Sequence, residues 1–204
     1  MKNMEKTLPD RMKRIRNFSK AIVWVITIIV LISGFFVLLL NLLFLAPDFL
    51  GPDLLAELEP DLRELSFDLE GEKGLSISLF DLSQMQRTLF VAMIDGLTVF
   101  LFCTLWTLRR VFVEYSKGDL FSIVSFRMIT NFGWMVLILS IAEIVSTTLQ
   151  SMILTWNLPA GQRQVELDIS YDDILSIVIA CVFIVIGWIL AEAARINAEN
   201  ETFI

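Results

Sequence analysis

Arg109–Trp134 reads RRVFVEYSKGDLFSIVSFRMITNFGW. It carries Arg109, Arg110, Lys117 and Arg127 and joins two long apolar runs. Cationic residues flanking an apolar span are retained on the cytoplasmic side. The stretch therefore predicts an inside elbow between two membrane-crossing segments. Working outward, each half of the chain reads as inside, helix, outside strand, helix, inside.

The 204 residues are 56% hydrophobic, with a mean hydropathy of +0.71. Soluble domains hold about 45–50% apolar residues. The excess falls in four runs, 21–45, 88–108, 129–154 and 174–194. Each is long enough to cross a hydrocarbon core of ~30 Å at ~1.5 Å per residue. The first is too long for the apolar core of a signal peptide, about 7–15 residues, and no A-x-A cleavage pattern follows it. The tail 1–20 holds Lys2, Lys6, Arg11, Lys13, Arg14, Arg16 and Lys20 against Glu5 and Asp10. The elbow 109–128 and the tail 195–204, with Arg195, are the other inside segments. The loops 46–87 and 155–173 are acid-rich and read as outside. Trp24, Trp106, Trp134 and Trp188 fall near inner ends and Trp156 near an outer end, as interfacial anchors do. The predicted fold is an all-α polytopic membrane protein, a four-transmembrane-helix bundle with both termini cytoplasmic.

Two segments add detail. In the tail, Met12, Ile15 and Phe18 recur among the bases. It serves either as a topology signal or as a short amphipathic helix on the anionic leaflet. In the first loop, Leu65, Phe67 and Leu69 alternate, a Gly-containing turn follows, and Leu75, Ile77 and Leu79 alternate again. Period-two apolarity around such a turn predicts a β-hairpin over 65–79. Val165, Leu167, Ile169 and Tyr171 predict a strand over 165–171. Unpaired strand edges and the three-strand minimum for a stable sheet predict that these pair into a small extracellular β-cap.

Chemistry is sparse. The chain has no histidine, so the commonest metal ligand and general base are missing. HExxH and GxSxG are absent, and the acidic loop lacks the D-x-D-x-D-G spacing of a calcium site. An intramembrane aspartyl protease needs two aspartates at one depth, and only Asp95 qualifies. No enzyme, cofactor or metal is expected. Cys103 and Cys181 lie in different spans and read as buried packing thiols. The costly residues are Asp95 and Glu143, carboxyls within spans. Asn41 lies in the outer third of the first span. Ser140, Glu143, Thr147, Gln150 and Ser151 follow three- and four-residue spacing and form one polar stripe. Asn41, Asp95, Glu143, Ser140 and Thr147 are thus the candidate intramembrane site. It is either interhelical hydrogen bonding or a place for a proton, a cation or a cationic amphiphile.

In the elbow, Tyr115-Ser-Lys-Gly-Asp-Leu-Phe121-Ser122, then Arg127 and Gly133-Trp134, resembles the inner loop of the YoaS-like family of bacterial four-helix membrane proteins. The ending Glu199-Asn-Glu-Thr-Phe-Ile204 is similar to that family's acidic tail. Leu120 stands where a proline or similar residue is common, and few bases follow Phe121. The resemblance implies a bacterial inner-membrane protein of a family with no established activity. It also implies, as a neighbour, a small helix-turn-helix repressor of the Cro/CI type. Read from the residues, Gly118 permits a tight turn, Asp119 or Ser122 caps a short helix, and Arg127 faces headgroups. The loop is either a simple interfacial elbow or a docking surface.

Two functions follow as expectations. The first is a non-enzymatic sensor or regulatory protein that couples an outside or intramembrane signal to a cytosolic regulator. Its contact residues would be Tyr115, Gly118, Phe121, Arg127, Glu199 and Glu201. The second is transport or immunity, with Asp95 and Glu143 binding protons or cations. The partners expected are the lipid bilayer, a cytosolic protein and further copies of the chain, with no direct nucleic-acid contact.

Overall fold

The computed structural model describes residues 4–45, 66–69, 75–78, 82–117, 123–159, 162–163 and 165–201. For 4–11, 43, 45, the two strands, 123, 200 and 201, it describes the backbone alone. In chain order the elements are α1 (Met4–Leu45), β1 (Ser66–Leu69), β2 (Leu75–Ser78), α2 (Gln84–Lys117), α3 (Ile123–Thr155) and α4 (Tyr171–Glu201).

Among the described residues, four helices are long and apolar enough to cross a membrane. The chain has the architecture of a multi-pass membrane protein. Its apolar residues face outward as well as inward: Phe35 and Leu38 of α1 are each 70% exposed. In water such a surface would drive aggregation. In lipid it has an apolar solvent, and the backbone hydrogen bonds close within each helix. Trp24, Trp106, Trp134, Trp156 and Trp188 are all exposed, in keeping with anchoring. The thiols correct an expectation. Cys103 and Cys181 are free and exposed, not packed inside.

Each helix outruns the apolar run that predicted it. α1 continues unbroken from the basic tail into the first span, so the tail is not a separate short helix. The elbow continues α2 to Lys117, and α3 begins at Ile123 with no short helix before it. Polar residues do not stop a helix once its core turns are formed, because propagation adds a hydrogen bond per residue.

The β-cap is corrected. β1 and β2 pair antiparallel, with Phe67 opposite Ile77 and Leu69 opposite Leu75. Among the described residues no third strand joins them. Residues 165–170 form no strand, and Tyr171 already belongs to α4. The Glu166 N–H donates to Ser151 Oγ at 3.0 Å, so this donor is spent on α3. Val165, Leu167 and Ile169 are exposed. Alternation signals a strand when the apolar side packs on a protein core. Here that side remains uncovered by the described residues. Among the described residues the fold is four long helices and this two-stranded ribbon, and no three-stranded cap forms.

By contacts the chain forms two compact units. Unit 1 comprises Met1–Ile32, Phe100–Ser140 and Tyr171–Ile204. Its α3–α4 packing is close enough to require glycine. A Cβ on Gly133 would lie 2.8 Å from Ile184 Cγ1 and 2.9 Å from the Ile184 nitrogen. A Cβ on Gly187 would fall on Thr130 Oγ1 and lie 2.9 Å from the Thr130 nitrogen. Phe132 and Phe183 meet edge to face across this contact, centroids 5.2 Å apart. Small residues let helix backbones approach in lipid, where no hydrophobic force drives association. Arg109 stacks on Trp106 and donates from Nε to Thr27 Oγ1 at 3.0 Å, tying α2 to α1.

Unit 2 comprises Ser33–Val99 and Ile141–Ser170. Its core is Phe44, Leu82, Phe90, Val91 and Leu154, with Leu40 and Ile153 packed on it. Around that core run the polar contacts that build the candidate site.

Candidate functional site

The intramembrane polar residues predicted from sequence come together only in part. Asn41 Nδ2 donates to Asp95 Oδ1 at 2.9 Å, joining α1 to α2. The same nitrogen donates to the Val37 carbonyl at 3.1 Å, which fixes the orientation of the amide. Asn41 Oδ1 is buried and accepts no hydrogen bond from the described residues. Asp95 sits about 16 Å along α2 from Gln84, well within the helix. An amide donating to a carboxyl at that depth is a typical means of offsetting a polar group in hydrocarbon.

Glu143 is placed differently. Its side chain is exposed, and no described residue gives it a hydrogen bond or an ion pair. At about 100° per residue, the buried Ser146 and Leu154 lie within roughly 60° of it around α3. The lipid-type residues Ile141, Val145, Leu149 and Met152 lie on the opposite side. Glu143 thus projects from the buried side of α3 while remaining accessible. Thr147 donates its hydroxyl back to the Glu143 carbonyl at 3.1 Å. Ser140 is buried and donates to the Val136 carbonyl at 3.0 Å, so it serves its own helix. Arg87 does not reach toward Asp95. Its Nη2 donates to the Leu82 carbonyl at 3.4 Å.

At the end expected inside, Tyr115 is half-buried and meets Phe112 edge to face at 6.2 Å. Arg127 is exposed on the first turns of α3. Glu199 is exposed and accepts from Arg195 Nη1 at 2.5 Å, while Arg195 also pairs with Glu192. Glu201 is the last residue of α4. Gly118 and Phe121 lie outside the described residues. Of the residues expected at a cytosolic contact, Tyr115, Arg127, Glu199 and Glu201 thus lie near helix ends.

Sequence reasoning missed the best-connected polar residue. Gln86 is 5% exposed. Its Oε1 accepts from Ser83 N at 3.2 Å, Ser83 Oγ at 2.8 Å and Asn157 Nδ2 at 2.5 Å. Its Nε2 donates to the Ile153 carbonyl at 2.8 Å. Ser83 Oγ in turn accepts the Gln86 N–H at 3.4 Å. This is a capping box at the start of α2, extended into a clasp on the end of α3. The signal was available: Ser83-Gln-Met-Gln86 before an apolar run is the S-x-x-Q pattern. None of these groups combines a nucleophile with a base, and among the described residues no cluster suits a metal ion.

No curated protein and no solved structure matches the chain. Residues 56–204 match the family described as "Protein of unknown function (DUF2975)". That stretch holds three of the four long helices, the ribbon, Asp95, Glu143 and the Gln86 clasp. The chain belongs to the DUF2975 family.

Proposed function

We propose that this is a non-enzymatic sensor or regulatory protein of the bacterial inner membrane with both termini cytoplasmic. It couples an intramembrane or outside signal to a cytosolic partner. The resemblance noted above suggests a small helix-turn-helix regulator as that partner. The observation that carries the reading is the Asn41–Asp95 contact with its unsatisfied amide oxygen. As a carboxylate, Asp95 accepts one bond and leaves Asn41 Oδ1 without a donor. As a carboxylic acid, it has a hydroxyl to donate, and an acid facing a primary amide can close both bonds. Gain or loss of a proton, or approach of a cation, therefore changes how α1 is held to α2. A switch needs such an element, with two bonding states biased by a local charge change. On the output side, α1, α2 and α4 all extend past their apolar runs and carry the charged residues beyond them.

The test is thermal unfolding of the purified chain with and without added cations, alongside Asp95→Asn. The melting temperature of the wild type is expected to respond to the cation more than that of the variant. Equal responses would remove Asp95 as the responsive group. For the output, a photo-crosslinker at Arg127 should capture a cytosolic protein in cells. Crosslinks to lipid and to other copies alone would sink the regulatory reading.

Glu143 favours a second reading, proton or cation transport. It lies accessible on the buried side of α3, with no partner among the described residues. Ion flux in vesicles that is unchanged by both Asp95→Asn and Glu143→Gln would dispose of it.

A further inference from the structure

The turn between α3 and α4 forms a groove of about 400 Å³, lined by Leu149, Met152, Ile153, Trp156, Arg163 and Val165. Its volume is at the lower end for small-molecule sites. Hydrogen bonds order the turn that forms its wall. Leu158 N donates to the Thr155 carbonyl and Gln162 N to the Pro159 carbonyl, each at 3.0 Å. Glu166 N donates to Ser151 Oγ, which sets Val165 against α3. Arg163 Nε donates to the Leu158 carbonyl at 3.1 Å, which fixes the guanidinium at the wall.

Two observations identify the occupant. First, Arg163 is the one cation between Thr155 and Asp173, a segment that also holds Glu166, Asp168, Asp172 and Asp173. None of these acids pairs with it among the described residues, and its Nη groups have no partner there. A guanidinium with its fork free is suited to bidentate contact with phosphate. Second, the groove opens on the lipid-type side of α3. Ile141, Val145, Leu149 and Met152 follow four-, four- and three-residue spacing, and all are exposed. This apolar stripe leads from the groove toward the middle of the helix. Trp156 stands at the mouth, half exposed, as tryptophans do at the headgroup level.

We infer that this groove is a binding site for an anionic phospholipid. The phosphodiester lies on the Arg163 fork beside Trp156, and one acyl chain runs along Val165, Met152, Leu149 and Val145. The inference does not depend on the orientation of the chain or on the Asn41–Asp95 reading, because it uses none of their residues.

The test is native mass spectrometry of the full chain in detergent, titrated with phosphatidylglycerol or phosphatidylcholine of the same acyl chains. One phosphatidylglycerol is expected to be retained in preference to phosphatidylcholine. Arg163→Gln, at an exposed loop position, should weaken that retention about tenfold, the scale of one charge-assisted bond pair. Val165→Trp, which fills the groove, should abolish it, and Arg110→Gln should leave it unchanged. Equal retention of the two lipids, wild-type retention by Arg163→Gln, or retention undiminished by Val165→Trp would each overturn the proposal.

Discussion

The two units of this chain differ in what holds particular helix pairs together, although unit 1 also has a polar tie, Arg109 to Thr27, between α2 and α1. In unit 1, α3 and α4 approach until only hydrogen fits at Gly133 and Gly187. In unit 2, polar side chains make the cross-helix contacts: Asn41 to Asp95, and Gln86 to Ile153 and Asn157. Within lipid both are valid answers to one problem. Apolar side chains gain nothing by leaving lipid for each other, so helices associate through close packing or through hydrogen bonds. The two answers differ in what they permit. A glycine contact has a single good geometry and no chemical state. A carboxyl–amide contact can change with a proton. Under the proposed reading, a change on binding a proton or cation falls in unit 2.

The sharpest way to break this comparison is Gly187→Ala. The added Cβ would fall on Thr130, including its backbone nitrogen. Overpacking of this kind costs about 1–3 kcal/mol, with the upper part of that range expected here because backbone cannot yield. Thermal unfolding in detergent should register it as the largest loss among these variants. An unchanged melting temperature would mean that unit 1 does not rest on close approach. Gln86→Leu comes next. It removes the side-chain half of the capping box, the bond to the Ile153 carbonyl and the acceptor that Gln86 Oε1 offers Asn157, while the Gln86 N–H keeps its bond to Ser83 Oγ. A loss of about 2 kcal/mol is expected from one capping and one buried interaction, read in the same assay with helix content followed by circular dichroism.

A smaller effect belongs to Asn41 and Asp95. A double-mutant cycle with Asn41→Ala and Asp95→Ala should give a coupling of about 0.6 kcal/mol, rising at most to ~1.7, as polar contacts between membrane helices do. Zero coupling would show that the two groups meet without holding the helices together. The smallest effect is expected at Arg195. Its ion pairs with Glu192 and Glu199 lie within α4 and are fully exposed, so water and salt screen them. Arg195→Gln should leave the melting temperature unchanged at moderate salt, and a measurable loss would place this helix end against something the chain does not supply.

Sequence alone determined the four apolar helices and the places where charge gathers. Hydropathy is a local quantity, and a run of about 20 apolar residues has few other fates. It also picked out Asn41, Asp95 and Glu143, because a polar group in such a run stands out against its neighbours. The capping box at Ser83–Gln86 was equally legible, being a pattern of four consecutive residues. Alternation at 165–171 makes no third strand, because the apolar side that a strand would bury is exposed. The buried-thiol reading failed for a related reason: in lipid an apolar residue has no obligation to face inward. What only the tertiary structure decided was pairing. Asn41 lies 54 positions from Asp95, and Gln86 lies 67 from Ile153. Hydropathy carries no record of which helix faces which, and that choice follows from how small residues and hydrogen-bonding side chains fit together once the helices are already in the membrane.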